Sequence, residues 1–210
     1  MTLRSWLEWS FIKEGLKNLF WNFHYLVLFG IITLLSVMGI VTFGCGIMAL
    51  ASSTRLIAND EKIGVSYYFS EFKRLFVPGV ILSIIILTFL ASLWSSFAIL
   101  SSDTIAIQKY IAYIAISIIT VLSFFLFYYP FAGFKENRVF VIMRNSFVYT
   151  LGHLWDTVVH ISIVYILWRI LSFSPPILAI MFLPFSFFIV NRFIIANNRS
   201  IDYKKSKPAQ

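Results

Sequence analysis

The chain has 210 residues, of which 60% are hydrophobic, 19% aromatic and only 12% charged, against about 25% charged in ordinary globular domains. Its formal charge of +8 would suit nucleic acid only if the basic residues shared one water-facing surface. They stand instead in short clusters between apolar runs, which excludes nucleic acid as a partner and implies a lipid bilayer.

From the N-terminus, Leu3, Trp6, Leu7, Phe11, Leu16, Leu19 and Phe20 recur at helical spacing, with Lys13, Glu14 and Lys17 between them. This predicts an amphipathic helix over residues 1–20 lying in the headgroup plane, with Trp6, Trp9 and Trp21 as anchors. A cleavable signal peptide fits poorly, because the apolar run that follows is far longer than the 7–15 residues of such a leader's core.

That run, from Lys17 to Arg55, holds no Asp, Glu, Lys or Arg. A helix crosses the hydrocarbon core with about 20 residues, so the run is too long for one crossing and just long enough for two. Gly39, Gly44 and Gly46 mark the turn that divides it. The predicted spans are 20–39 and 46–59, the second short or re-entrant, with Cys45 packed in the glycine turn. A single cysteine makes no intrachain disulfide.

Four further uncharged stretches predict spans at 77–101, 110–130, 150–170 and 175–196. Pro78 and Pro176 fall where a first helical turn tolerates proline, and Pro184 inside the last span should kink it. The expected fold is all-α: a polytopic membrane helical bundle of six segments in one domain, 1–201, with a basic tail at 202–210 expected to be disordered. Six segments place both termini on one side, with 15 of the 17 Lys and Arg residues beside them and only Lys109 and Arg169 opposite. The positive-inside rule then makes both termini cytoplasmic. Five crossings with an outside N-terminus would divide the same residues 12 to 5.

One polar constellation stands out. His153, Asp156 and His160 are spaced three and four apart, which puts them on one helix face. Intramembrane His and Asp serve proton or ion paths, and the set could hold a metal. The plainer reading places His153 and Asp156 at the start of the span, within reach of headgroups and water, and leaves His160 a turn deeper. A transport path there would need polar partners from other helices, with Ser83, Thr88, Ser92, Ser95, Ser117, Thr120 and Ser123 available, although such residues also serve helix packing. Asp103 and Arg169 fall at outer helix ends, where a surface pair contributes little. After Pro130, the stretch from Arg138 through Phe140, Met143, Arg144 and Phe147 to Thr150 reads as an amphipathic cytoplasmic helix that either docks a partner or lies on the inner leaflet.

No phosphate-cradling Gly-x-x-x-x-Gly-Lys loop, His-Glu-x-x-His zinc motif, Gly-x-Ser-x-Gly elbow or metal-binding Cys pair occurs. Neither an enzyme nor a resident cofactor is expected, and energy coupling would have to come from a partner.

Three stretches together resemble the YesL-like family of bacterial integral membrane proteins, whose function is unknown. They are Phe43-Gly44-Cys45-Gly46-Ile47-Met48-Ala49-Leu50 with Arg55-Leu56 and Asn59-Asp60-Glu61; Phe69-Ser70-Glu71-Phe72-Lys73-Arg74-Leu75-Phe76; and Tyr128-Tyr129-Pro130-Phe131-Ala132-Gly133-Phe134 before the Arg138–Thr150 helix. Cys45 stands where the family's turn has proline. Genes of this family commonly neighbour those for carbohydrate uptake by ABC transporters. The resemblance therefore implies an accessory or assembly partner of such an importer in a bacterial plasma membrane, touching its permease subunits. The alternative is a small transporter or channel, self-associating as a dimer, that uses the His153, Asp156 and His160 face.

Overall fold

A computed structural model describes residues 9–37, 39–102, 105–131, 138–172 and 176–206. Among them all regular structure is helical, in the order α1 (Trp9–Trp21), α2 (Phe23–Val37), α3 (Phe43–Ala58), α4 (Val65–Arg74), α5 (Phe76–Ser101), α6 (Ala106–Leu126), α7 (Val139–Gly152), α8 (Leu154–Ser172) and α9 (Pro176–Ser206). The protein is a membrane-embedded helical bundle. Among the described residues three helical stretches, Ile40–Ala58, α5 and α6, are each long and apolar enough to cross a bilayer, and two bent pairs, α1–α2 and α7–α8, raise the number to five. In α9 the apolar stretch Met181–Ala196 is shorter among the described residues.

Of Gly39, Gly44 and Gly46 in the first uncharged run, only Gly39 lies outside a helix, after α2. A 3-10 turn over Ile40–Thr42 follows, and α3 starts at Phe43. Gly44, Cys45 and Gly46 therefore lie inside α3 rather than in a turn. Their smallness serves packing. A Cβ on Gly44 would overlap the Gly79 carbonyl oxygen, and one on Gly79 would stand 2.5 Å from the Cys45 Cα. Backbone against backbone is how membrane helices gain dispersion contact without a hydrophobic drive to associate. Ser83 locks the same crossing, accepting from the Gly44 N–H at 2.7 Å and donating to the Val41 carbonyl at 2.8 Å.

The segment expected to be short or re-entrant is thus the hub of the molecule. α3 packs against α2, α4, α5 and α9. Its residues from Gly44 to Thr54 are all buried. On one side Leu50 and Ile57 meet Leu26 and Phe29 of α2, Tyr68 of α4 and Phe188 and Ile195 of α9. By contrast, α6 buries only Ala112 and Ile119 among its described residues. Its other apolar side chains, such as Ile107, Ile111 and Ile118, stay exposed, as do Leu90 and Trp94 of α5. A surface this apolar has lipid as its solvent.

Two helices turn out of the bundle direction. α1 meets α2 at 68° and α7 meets α8 at 99°, so with α2 and α8 along the bilayer normal, α7 lies close to the membrane plane and α1 leans toward it. In α1 the exposed side chains include Leu16, Phe20 and Trp21 while Asn18 is buried, the inverse of a soluble helix and the pattern of one facing headgroups and acyl chains. The part of the expected interfacial helix before Trp9, with Trp6, lies outside the described residues.

The remaining boundaries shift. α6 starts four residues before the expected 110, placing Lys109 inside the helix, and ends at Leu126 because Phe127–Phe131 form turns that return the chain. The expected span 150–170 begins at Leu154, after the break at His153. α9 opens on Pro176, runs through Pro184 as one helix and continues to Ser206, so the first part of the tail expected to be disordered is helical. α4 was not expected as a helix.

Candidate functional site

Of the three polar residues of the predicted face α8 holds Asp156 and His160, while His153 stands at the 99° break before it, so the expected single helix face is interrupted. His153 sits at the corner between α7 and α8, half-buried, with its ring stacked on Tyr149 at 4.4 Å. Asp156 in the first turn of α8 is also half-buried. His160, about 6 Å further along at 1.5 Å per residue, is 0% exposed. Its Nδ1 lies 2.5 Å from the Tyr128 hydroxyl, and its ring stacks on Phe193 of α9 at 4.8 Å. Tyr128 in turn packs edge-on against Tyr149 at 4.7 Å. His160 thus clasps α6's exit turn, α8 and α9 together. With the imidazole proton on Nε2, the tyrosine hydroxyl donates to Nδ1.

The face does not open into a polar path. Thr88, Ser95, Ser117 and Thr120 are exposed, and their hydroxyls bond back to carbonyls one turn earlier in their own helices. Ser83 is committed to the α3–α5 crossing. No group of three His, Cys, Asp or Glu among the described residues is placed to hold a metal, so the three residues are not a metal centre. Asp103 lies outside the described residues, which leaves the expected Asp103–Arg169 contact undescribed; Arg169 itself is exposed in the last turn of α8.

The predicted docking helix is α7, and its polarity is inverted. Toward the bundle it turns Ile142, Ser146 and Thr150, all buried. Ser146 Oγ donates to the Phe125 carbonyl at 2.8 Å, satisfying an orphan acceptor near the end of α6. Outward it presents Phe140 at 86% exposure, with Met143, Arg144, Phe147, Val148 and Leu151 also exposed. Arg138 stands exposed just before the first turn. Phe147 is shared, since its ring also rests on Phe125 at 4.9 Å.

A second polar network escaped the sequence reading. It runs along α3, from Gly46, whose carbonyl meets Thr33 and Tyr68, to Ala58. Glu71 of α4 is 6% exposed; it accepts from Ser52 at 2.7 Å and from Arg74 Nε and Nη2 at 2.8 and 2.5 Å. The carboxylate bound to it strengthens the hold of the Arg74 guanidinium on its proton. Beside it, Tyr68 has its hydroxyl 2.8 Å from Thr33 Oγ1, and burial pushes that group up to about 12, so it stays protonated. From α9, Asn191 donates to the Ala51 carbonyl and to Thr54 Oγ1, each at 2.9 Å. Arg192, 5% exposed, donates to the Ala58 carbonyl at 2.9 Å and lies 3.8 Å from Glu14 of α1. The sequence signal was present in Asn191-Arg192 and Glu71, but each adjoins an apolar run and reads as a solvated flank.

These contacts also gather the basic regions. α1, the end of α3, α4 and the Arg192 turn of α9 meet at one end of the bundle through Glu14, Ala58, Glu71 and Arg192. The corner of α7 and α8 joins the same end through Tyr149, Tyr128, His160 and Phe193. No protein-family model, curated protein or solved structure matches the chain.

Proposed function

We propose that the protein is an accessory or assembly subunit of a membrane transport complex in a bacterial plasma membrane, docking through α7 with both termini cytoplasmic. The observation that carries this reading is α7 itself: a helix turned 99° from its neighbour whose outward face holds Phe140, Met143 and Phe147. Aromatic and Met side chains are enriched in interface cores. The two arginines, Arg138 and Arg144, contribute about 1 kcal/mol each beside an anionic leaflet, too little to account for the whole face. The resemblance to the YesL-like family directs the choice of partner to the permease of a carbohydrate ABC importer. The absence of a nucleotide-binding loop fits a subunit that borrows its energy from that partner.

Orientation rests on charge. When six segments cross, 15 of the 17 Lys and Arg residues fall on the side of the termini, and the positive-inside rule assigns that side to the cytoplasm. A second reading, a small transporter or channel, is favoured by the burial of His160 against Tyr128. It lacks polar lining from the other helices.

Affinity purification from native membranes tests the docking reading. Phe140→Ala with Met143→Ala removes outward side chains and leaves the Phe147–Phe125 packing in place. Two such truncations at an interface centre cost about 1–2 kcal/mol each, so recovery of a permease subunit should fall about tenfold or more at unchanged expression. Arg138→Glu with Arg144→Glu should spare the partner and loosen α7 from the bilayer. Full partner recovery by the aromatic variant, or a wild-type protein recovered only as a lone oligomer, contradicts the reading.

A further inference from the structure

A partly open cavity of about 270 Å³ lies between α3, α5, α6, α8 and α9. Its walls include Ile86 and Phe89 of α5, Phe127 after α6, Val164 of α8 and Leu183 and Phe187 of α9. The hydroxyls among the lining residues are those of Ser123 and Ser186, and Ser186 is committed to the Phe182 carbonyl at 2.7 Å. Water needs two to four polar partners to stay in such a space. An empty void of this size would forfeit dispersion contacts around its whole lining.

Depth narrows the choice of occupant. α5 starts at Phe76, whose carbonyl meets Cys45 in the first turn of α3, and Leu82 to Phe89 lie roughly 9–20 Å along α5 from there at 1.5 Å per residue. α6 reaches the cavity with its last turn at Leu126, and α9 reaches it just before Arg192. The cavity therefore lies within two candidate spans, α5 and α6, and away from the Ala58 end of α3. A partner helix does not fit: a helix is about 10–12 Å across, so a 10 Å length displaces on the order of 1,000 Å³. A narrow, flexible hydrocarbon chain does fit.

We propose that this cavity is a lipid-binding site that takes one acyl chain of a glycerophospholipid. The chain fills the gap between the α5–α6 pair and the α8–α9 pair, two pairs that each also pack on α3 through α5 and α9. The site is independent of the docking reading, because α7 contributes nothing to its lining.

The test is photo-crosslinking in nanodiscs made with phosphatidylglycerol carrying a mid-chain diazirine, followed by peptide mapping. Adducts should concentrate on Phe89, Phe127 and Phe187, in excess over the outward-facing Ile107, Ile111 and Ile118 of α6. An even spread over both sets overturns the proposal. Native mass spectrometry gives the second measurement. Wild-type protein should keep a single phospholipid after detergent washing, and Ser186→Phe with Ser123→Leu, which fills the cavity, should lose it. Equal retention by the filled variant, or a wild-type protein that keeps no lipid or a polypeptide instead, overturns it as well.

Discussion

Gly79→Leu should destabilise the tertiary structure while leaving the helices formed. The α3–α5 crossing brings backbones into contact from both sides: a Cβ at Gly79 meets the backbone of Cys45, and one at Gly44 meets the Gly79 carbonyl. Neither obstacle is a flexible side chain that could rotate away. Overpacking ordinarily costs about 1–3 kcal/mol, and this case belongs at or above the upper end because the helices must separate along their whole contact. Separation would also break the Ser83 bonds to Gly44 and Val41. In detergent, thermal unfolding followed by tryptophan fluorescence should show a clearly lower midpoint than wild type, with far-UV helicity unchanged. Gly152→Leu is the control, since nothing lies within 4 Å of a Cβ there. Equal midpoints for the two variants would refute the crossing.

Arg74→Met should destabilise the protein more than Glu71→Gln, although the two residues form one ion pair. The pair is asymmetric: the Glu71 side chain is 9% exposed and that of Arg74 is 28% exposed. Removing the arginine leaves a buried carboxylate with only the Ser52 hydroxyl bonded at 2.7 Å, and breaking a buried pair in this way costs about 3–5 kcal/mol. Exposure on the Arg74 side brings the expected loss to the lower end, about 3 kcal/mol. Glu71→Gln keeps an acceptor for Ser52 and lets the guanidinium turn to water, so its loss should stay near 1 kcal/mol. Denaturant-induced unfolding in mixed micelles measures both. The reverse order would mean that Arg74, not Glu71, is the buried member.

The charge gaps located the spans because lipid leaves so few alternatives. A run without Asp, Glu, Lys or Arg must be helical at bilayer depth, and its ends lie where charge resumes. For this reason the expected span 77–101 and α5 differ by one residue, and of His153, Asp156 and His160 it is His160 that is fully buried. The same logic failed wherever a polar residue goes inward. Arg192 ends an apolar run and reads as a snorkelling flank, yet it turns back onto Ala58. Glu71 sits among Phe and Lys residues and reads as loop, yet α4 folds it against Ser52. Gly44 and Gly46 read as turn residues because glycine is as common in turns as in close helix crossings. Only the position of Gly79, 35 residues away, distinguishes the two. α4 escaped notice because one short amphipathic helix between two long apolar runs offers few turns of periodicity.

The central claim is a bundle hubbed on α3, with its basic end and both termini on one side of the membrane. Cysteine labelling in intact cells tests it most directly, in a Cys45→Ser background that keeps a donor for the Phe76 carbonyl. With the basic end inside, Ser102→Cys at the far end of α5 should react with a membrane-impermeant maleimide in intact cells. Ser206→Cys at the end of α9 should react only after the cells are opened. Labelling of Ser206→Cys in intact cells would contradict the account.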